Sequence, residues 1–131
     1  MMFKRGIAIA SAVAVLGTVF TAIPMSAAAV DGDFTIATSG GAAPVYIDST
    51  GADYDGLSII ADTFADDVEL VSGQTPDVKT ASDASGISGA VIAGVVGDEL
   101  IASTGIDTCD IEDKNETYKI EVIGGNLVIA G

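Results

Sequence analysis

A continuous apolar run at positions 90–96, Ala-Val-Ile-Ala-Gly-Val-Val, constrains the fold more than any other part of this sequence. A run of this kind predicts a central strand that other elements cover on both faces. Such a strand needs neighbouring strands in the same sheet and further layers packed against it. The chain has 131 residues, which suits one domain and excludes a catalytic (β/α)8 barrel of about 250 residues.

Before this run, the sequence carries the pattern of one long amphipathic helix. Its apolar positions recur at spacings of three and four, and acidic residues fall between them. We expect this stripe to be buried, with Gly73 and then Pro76 ending the helix. The stripe consists of Leu57, Ile60, Ala61, Phe64, Ala65, Val68 and Val71.

The other elements are short. Strands are predicted at 34–38, 44–48, 77–80, 90–96, 117–123 and 127–130, and a second, shorter helix from Asp98 to about Gly105. In the strand 117–123, Tyr118, Ile120 and Val122 are predicted to face one way. The order indicates an α+β domain: a mixed β-sheet with helices mainly on one face. Because no predicted element covers the last strand, we expect the sheet to be incomplete at the C-terminus.

The first 29 residues have the pattern of a secretory signal peptide. Lys4 and Arg5 precede an apolar stretch, and Pro24 precedes three consecutive alanines that end at Ala29. We expect cleavage near Ala29, secretion, and an α+β domain at residues 30–131. A retained membrane anchor is the alternative, although about 17 apolar residues is the short limit for spanning a bilayer.

The charge of the secreted part restricts its partners. Three lysines, Lys79, Lys114 and Lys119, remain against 19 acidic residues, a net charge of −16. Nucleic acid binding requires clustered basic side chains, and anionic membranes repel such a surface. We therefore expect no nucleic acid partner and, after signal cleavage, no membrane partner.

The residue types required by several kinds of chemistry are missing. The chain has no His and one Cys, which excludes His-based triads, His/Cys zinc sites and an intrachain disulfide. Cys109 is expected to be a partly buried apolar residue, with a disulfide to another chain as the alternative. We assign no catalytic, cofactor-binding or metal-binding residue, and no cofactor.

Acidic and glycine-rich positions have simpler interpretations than catalysis. Three helix acids, Asp62, Asp66 and Glu69, are expected to form a solvated face. The loop 107–116 is rich in oxygen ligands but lacks the spacing of a calcium loop, and the glycines at 94 and 97 lack a nucleotide-binding spacing. Asn115 begins a glycosylation sequon, whose use depends on the host. The acids of the loop are Asp107, Asp110, Glu112, Asp113 and Glu116.

Four segments, in order, resemble the amino-terminal domain of glycoside hydrolase family 115, the xylan α-1,2-glucuronidases. The helix end resembles the family's Val-Thr-Gly-x-x-Pro turn, with Ser72 in the Thr place. The third segment resembles its Ile-Ile-x-Gly strand, which precedes a short helix such as the one at Leu100-Ile101. The segments are Ala-Pro-Val-Tyr-Ile-Asp at 43–48, Asp-Val-Glu-Leu-Val-Ser-Gly-Gln-Thr-Pro at 67–76, Val-Ile-Ala-Gly at 91–94 and Asn-Leu-Val-Ile-Ala-Gly at 126–131.

The resemblance implies an accessory domain whose partner is a catalytic barrel that this chain lacks. Family members release glucuronic acid or its 4-O-methyl form from xylan with carboxylic acids of that barrel, so no catalytic residue carries over. The fourth segment is usually continued by Ser-Asp-x-Arg-Gly and a helix, and we expect this chain to be truncated before the barrel. By itself the chain is expected to be inactive.

Direct polysaccharide contact is not expected, because such contact usually needs exposed aromatic rings and Phe64 and Tyr118 are expected in the core. The negative charge would also repel a polymer that carries glucuronate. The alternative function is a complete small secreted acidic α+β protein with an adhesive or structural role.

Overall fold

The computed structural model of the protein describes residues 32–131. Two short strands, β1 (Ala37–Thr38) and β2 (Gly41–Ala42), form a separate antiparallel hairpin. Five strands form the main sheet: β3 (Val45–Ile47), β4 (Val78–Thr80), β5 (Val91–Gly94), β6 (Lys119–Ile123) and β7 (Asn126–Ala130). Helix α1 (Tyr54–Ser72) connects β3 to β4, and helix α2 (Glu99–Thr104) follows β5.

The main sheet has the strand order β4-β3-β5-β7-β6. Its first four strands are parallel, and β6 joins β7 as an antiparallel edge strand through the turn at Gly124 and Gly125. Both turn glycines have positive φ, at 59° and 80°, as a two-residue hairpin turn requires. The predicted α+β class with a mixed sheet is confirmed.

The apolar run at 90–96 forms the central strand β5, as predicted. Val91 and Ile92 point to opposite faces of the sheet, and both are almost completely buried. Val91 belongs to a core cluster with Val45, Ile47 and Ala61 of α1. Ile92 belongs to a second cluster with Leu100 and Ile101 of α2 and Val128 of β7. The sheet therefore separates two hydrophobic cores.

Helix α1 forms where the three-and-four spacing predicts it. Its C-cap, Gly73, has φ 72°, and its backbone N–H donates to the Glu69 carbonyl, which closes the last turn. The helix lies over β3, β4 and β5 on one face of the sheet. The short helix α2 lies on the opposite face. Most of the helical residues therefore lie on one face, although the two helices are on different faces.

Gly94 lets α2 approach β5 closely. A Cβ atom at position 94 would lie 2.8 Å from Cγ1 of Ile101, which is itself buried. The third resemblance segment thus ends in a glycine because the contact between the helix and the strand leaves no room for a side chain.

The predicted strand at 34–38 is mostly wrong. Only Ala37 and Thr38 pair, because the chain turns back through Ser39 and Gly40 into β2, where no strand was predicted. The preceding Phe34 packs against the core cluster under α1 instead of extending a strand. Hydrophobic burial of this ring outweighs the alternating pattern around it.

Gly94→Ala is predicted to lower the free energy of unfolding by about 1–3 kcal/mol, because the added methyl group overpacks the contact with Ile101. Gly56→Ala is the matched control. Gly56 lies inside α1 with no atom near an added Cβ, so the same substitution there is expected to stabilise the protein by up to about 1 kcal/mol. Chemical denaturation of both variants measures the difference. Equal effects of the two substitutions would contradict the close packing of α2 on β5.

Candidate functional site: an open apolar half of the sheet

Within residues 32–131, one half of the sheet has no helix over it on the α1 face. In the antiparallel pair of β6 and β7, Ile120 lies opposite Ile129 and Val122 lies opposite Leu127. Residues opposite each other in such a pair point to the same face, and Leu127 and Ile129 pack against the edge of the cluster under α1. None of the four side chains is buried, and Ile120 is 53% exposed. We call these four side chains the open half-face.

The width of the uncovered surface corresponds to one helix. Strands in a sheet lie about 4.8 Å apart, so β6 and β7 together leave roughly 10 Å of width beside α1. A helix with its side chains is about 10–12 Å in diameter. On the opposite face, Val128 and Ala130 of β7 are fully buried under α2 and its neighbouring loops. The two faces of β7 are therefore covered unequally.

A groove of about 340 Å³ separates the open half-face from α1. Leu57, Ile60 and Phe64 of α1 form one wall, and Ile60 is 66% exposed. A separate groove lies along the C-terminal half of α1, where Val68 and Val71 face Phe34 and Ile36. The remaining residues of the first groove are Val45, Ala61, Val91, Ala93, Gly94, Val95, Tyr118, Ile129 and Gly131.

Three residues that the sequence analysis placed in the core lie on these grooves instead. Ile60 and Val71 belong to the predicted buried stripe of α1, but Val71 is 91% exposed. Tyr118, also expected in the core, is 69% exposed. The other five residues of the stripe are buried or half-buried, as predicted. Ile60 and Tyr118 line the groove beside the uncovered strands, whereas Val71 faces Phe34 and Ile36. An apolar pattern predicts which face of an element is suited to burial. It does not predict which other element covers that face.

A polar corner lies where β3 ends, near the start of α2. The Asp48 carboxylate is 1% exposed and accepts hydrogen bonds from the backbone N–H and the hydroxyl of Thr50, both at 2.7 Å. The hydroxyl of Thr50 is the main cause that lowers the pKa of Asp48, followed by its backbone N–H. The backbone N–H groups of Leu100 and Gly51 lower this pKa further, against the opposing effect of burial.

This corner stabilises the fold and offers little to a ligand. Ligands of open α/β sheets bind at the carboxyl ends of the strands, and Asp48 and Asp98 lie there. Asp48 already receives its hydrogen bonds from the protein, and one of them comes from the first turn of α2. Asp98 accepts a long hydrogen bond of 3.4 Å from the N–H of Val95. The hydrogen bonds of Asp48 from Thr50 therefore hold the turn that follows β3, close to the start of α2.

The acidic loop is joined to the edge strand by Lys119. Its ammonium group donates to the carbonyl of Asp107 at 2.6 Å and forms an ion pair with Asp110 at 3.3 Å. The hydrogen bond with Asp110 raises the pKa of Lys119. Within residues 32–131 no three side chains of the metal-binding types come together as a candidate cation site. The acidic residues of the loop that form hydrogen bonds or ion pairs form them with other groups of the protein.

Cys109 is exposed and free, so the expectation that it is partly buried is wrong. Its backbone N–H donates to the Asp107 carboxylate at 3.1 Å, which holds the loop in a turn. This carboxylate raises the pKa of the Cys109 thiol, first through a hydrogen bond and then through its charge. At neutral pH, the fraction of this thiol that is present as the nucleophilic thiolate is therefore smaller than for an ordinary cysteine.

The other sequence-predicted positions lie at the surface. Asp62, Asp66 and Glu69 are exposed on α1, and Asn115 is exposed in the loop before β6. Glu112, Asp113 and Glu116 are exposed as well. In the described part of the chain, no helix has the length and hydropathy needed to cross a bilayer. The predicted signal peptide at residues 1–29 lies outside the described residues.

Comparisons of the chain with protein-family models, with curated proteins and with solved structures find no match.

Asp48→Asn is predicted to lower the free energy of unfolding at neutral pH by about 1–3 kcal/mol, because an amide replaces a buried carboxylate that accepts several hydrogen bonds. The pKa of Asp48 is lowered in the folded protein. Its stabilising contribution is therefore complete above the pKa of an unfolded aspartate, about 3.9, and is lost as pH falls through the lower folded value.

Denaturation curves between neutral and strongly acidic pH measure this effect, with the exposed Asp62→Asn as the control of equal charge change. The stability difference between the wild type and Asp48→Asn should shrink as pH falls below about 4. A difference that stays constant down to strongly acidic pH would show that the Asp48 charge does not stabilise the fold.

Proposed function

We propose that this chain is the non-catalytic amino-terminal module of a secreted hydrolase that resembles the xylan α-1,2-glucuronidases of glycoside hydrolase family 115. The parent enzyme releases glucuronic acid or its 4-O-methyl form from xylan. The module's role is to pack against the rest of that enzyme, and the open half-face with its groove is the contact surface. The signal peptide at residues 1–29 directs the enzyme out of the cell.

The observation that carries the proposal is the unequal covering of β7. Parallel sheets are normally covered on both faces, and exposed contiguous apolar surface usually marks an interaction site. The open half-face, Ile60 and Tyr118 form such a surface, and it lies beside the strand that carries the fourth resemblance segment. Further polypeptide that packs here would complete the sheet and join the module to a second domain.

The chemistry of the described residues supports a non-catalytic role for this module. Its buried carboxylate, Asp48, has a lowered pKa and several hydrogen-bond donors. A general acid of a glycosidase needs the opposite, a carboxyl group with a raised pKa and access to the substrate. The acids on α1 are solvated and belong to an exposed helix surface. Hydrolysis of xylan side groups is therefore assigned to the partner domain.

The purified chain is predicted to bind a fluorescent hydrophobic dye, and Ile60→Gln together with Ile120→Thr should reduce this binding severalfold. Both side chains are largely exposed, so these substitutions should hardly change the melting temperature. Leu70→Gln is the matched control, since Leu70 is 84% exposed on α1 but lines neither apolar groove. The chain alone should release no glucuronic acid from glucuronoxylan.

Two results would contradict the proposal. A wild-type chain that melts cooperatively without binding the dye would favour the alternative of a complete small secreted protein with an adhesive or structural role. Measurable glucuronidase activity of the purified chain would show that catalysis resides in the module itself. Reading the gene past the codon for Gly131 tests the parent directly: Ser-Asp-x-Arg-Gly in frame, followed by a long open reading frame, is the expected result, and a stop codon is the contrary one.

A further inference from the structure

Strand β6 presents an open edge of the main sheet, and its hydrogen-bonding groups can be assigned. The N–H groups of Leu127 and Gly131 in β7 donate to β5, at 2.9 and 3.2 Å. Successive residues of a strand alternate in the edge to which their backbone groups point. Asn126, Val128 and Ala130 therefore point to β6, where their partners are Ile123, Glu121 and Lys119.

The alternate residues of β6 then direct their backbone groups away from the sheet. These residues are Ile120 and Val122, with Tyr118 at the position just before the strand. In β6 no proline and no bulge blocks this edge, and its outer residues are exposed or half-exposed. An edge of this kind is a template for pairing with another strand.

We propose that this edge pairs with the same edge of a second copy of the chain, antiparallel and centred on Ile120, so that two sheets join into one of ten strands. With this centre, Ile120 lies opposite its own copy and Tyr118 lies opposite Val122. These are the residues with outward backbone groups, so each such pair exchanges two hydrogen bonds. Apolar side chains then meet across the two-fold axis on the α1 face.

Charge fixes the register. Centring on Ile120 places Lys119 of each copy opposite Glu121 of the other, on the α2 face of the sheet, and opposite charges in facing positions stabilise strand pairs. Centring on Glu121 would instead place two glutamates opposite each other and leave Lys119 facing Ile123. The register centred on Ile120 places opposite charges in facing positions, brings the apolar side chains together and pairs the outward backbone groups.

The second copy is a better occupant of this edge than a foreign strand. The secreted part carries 19 acidic residues and three lysines, and one of these lysines lies on β6 next to a glutamate of the same strand. A two-fold axis places this lysine, whose ammonium group also contacts Asp107 and Asp110 of its own copy, opposite the glutamate of the other copy at two equivalent positions, which offsets part of the repulsion between the acidic copies. A foreign strand would have to supply the same alternation of charge by chance.

The test measures the mass of the purified chain by sedimentation or light scattering over concentrations up to the high micromolar range. The wild type should show a monomer–dimer equilibrium. Ile120→Pro removes an outward N–H and leaves the pairing of β6 with β7 intact, so it should abolish the dimer while the melting temperature changes little. A wild-type chain that stays monomeric over the whole range overturns the proposal.

Charge variants test the register separately from the open half-face, since Lys119 and Glu121 point to the other face of the sheet. Glu121→Lys and Lys119→Glu should each weaken self-association by roughly tenfold, because like charges then face each other. An equimolar mixture of the two variants should recover the dimer, because every facing pair is again of opposite sign. Lys79→Glu, on the other edge strand β4, is the control and should leave the dimer unchanged.

Failure of the mixture to associate overturns the register, and loss of the wild-type dimer on Ile60→Gln but not on Ile120→Pro would place the contact in the groove that Ile60 lines beside α1 instead of at the β6 edge. Dye binding is also measured on Glu121→Lys, which weakens self-association but leaves the side chains of the open half-face unaltered, so that failure of the dimer and failure of the proposed function are distinguished.

Discussion

The burial of β5 on both faces is the constraint on which the rest of the structure depends. Val91 and Ile92 point in opposite directions, and neither can be buried unless both sides of the sheet are covered. The long helix α1 covers one side, and the short helix α2 covers the other, with Gly94 setting how closely α2 approaches. At the end of the neighbouring strand β3, the buried Asp48 accepts hydrogen bonds from Thr50, near the first turn of α2.

This arrangement leaves the sheet covered unevenly toward β6. Helix α1 covers β3, β4 and β5, but it is not wide enough to cover β7 and β6 as well. The proposed module function and the proposed dimer use different parts of this uneven side. The open half-face offers apolar side chains to further polypeptide, whereas the edge of β6 offers backbone groups and a Lys119–Glu121 alternation. The five-residue strand β6 contributes to both.

Periodic segments of the sequence predicted their elements well. The three-and-four spacing located α1, Gly73 and Gly105 marked helix ends, and the strict alternation at 117–123 assigned the faces of β6 correctly. Short segments were less predictable. The β1–β2 hairpin was missed because two residues per strand carry no period, and Phe34 was placed in a strand although its ring packs under α1. Cys109 was expected to be partly buried, but the turn held by Asp107 exposes it.

The sequence by itself determined the element types, the two-sided burial of the central strand, the acidic character of the surface and the absence of histidine chemistry. These are properties of local pattern and composition, which act over a few residues. Only the tertiary structure decided that Ile60, Val71 and Tyr118 lie open, that the buried Asp48 lies near the first turn of α2, and that the outward backbone groups of β6 belong to Ile120 and Val122. The reason is physical. Burial, hydrogen bonds between residues distant in sequence and unpaired strand edges all depend on which elements become neighbours, and strand order and register decide that.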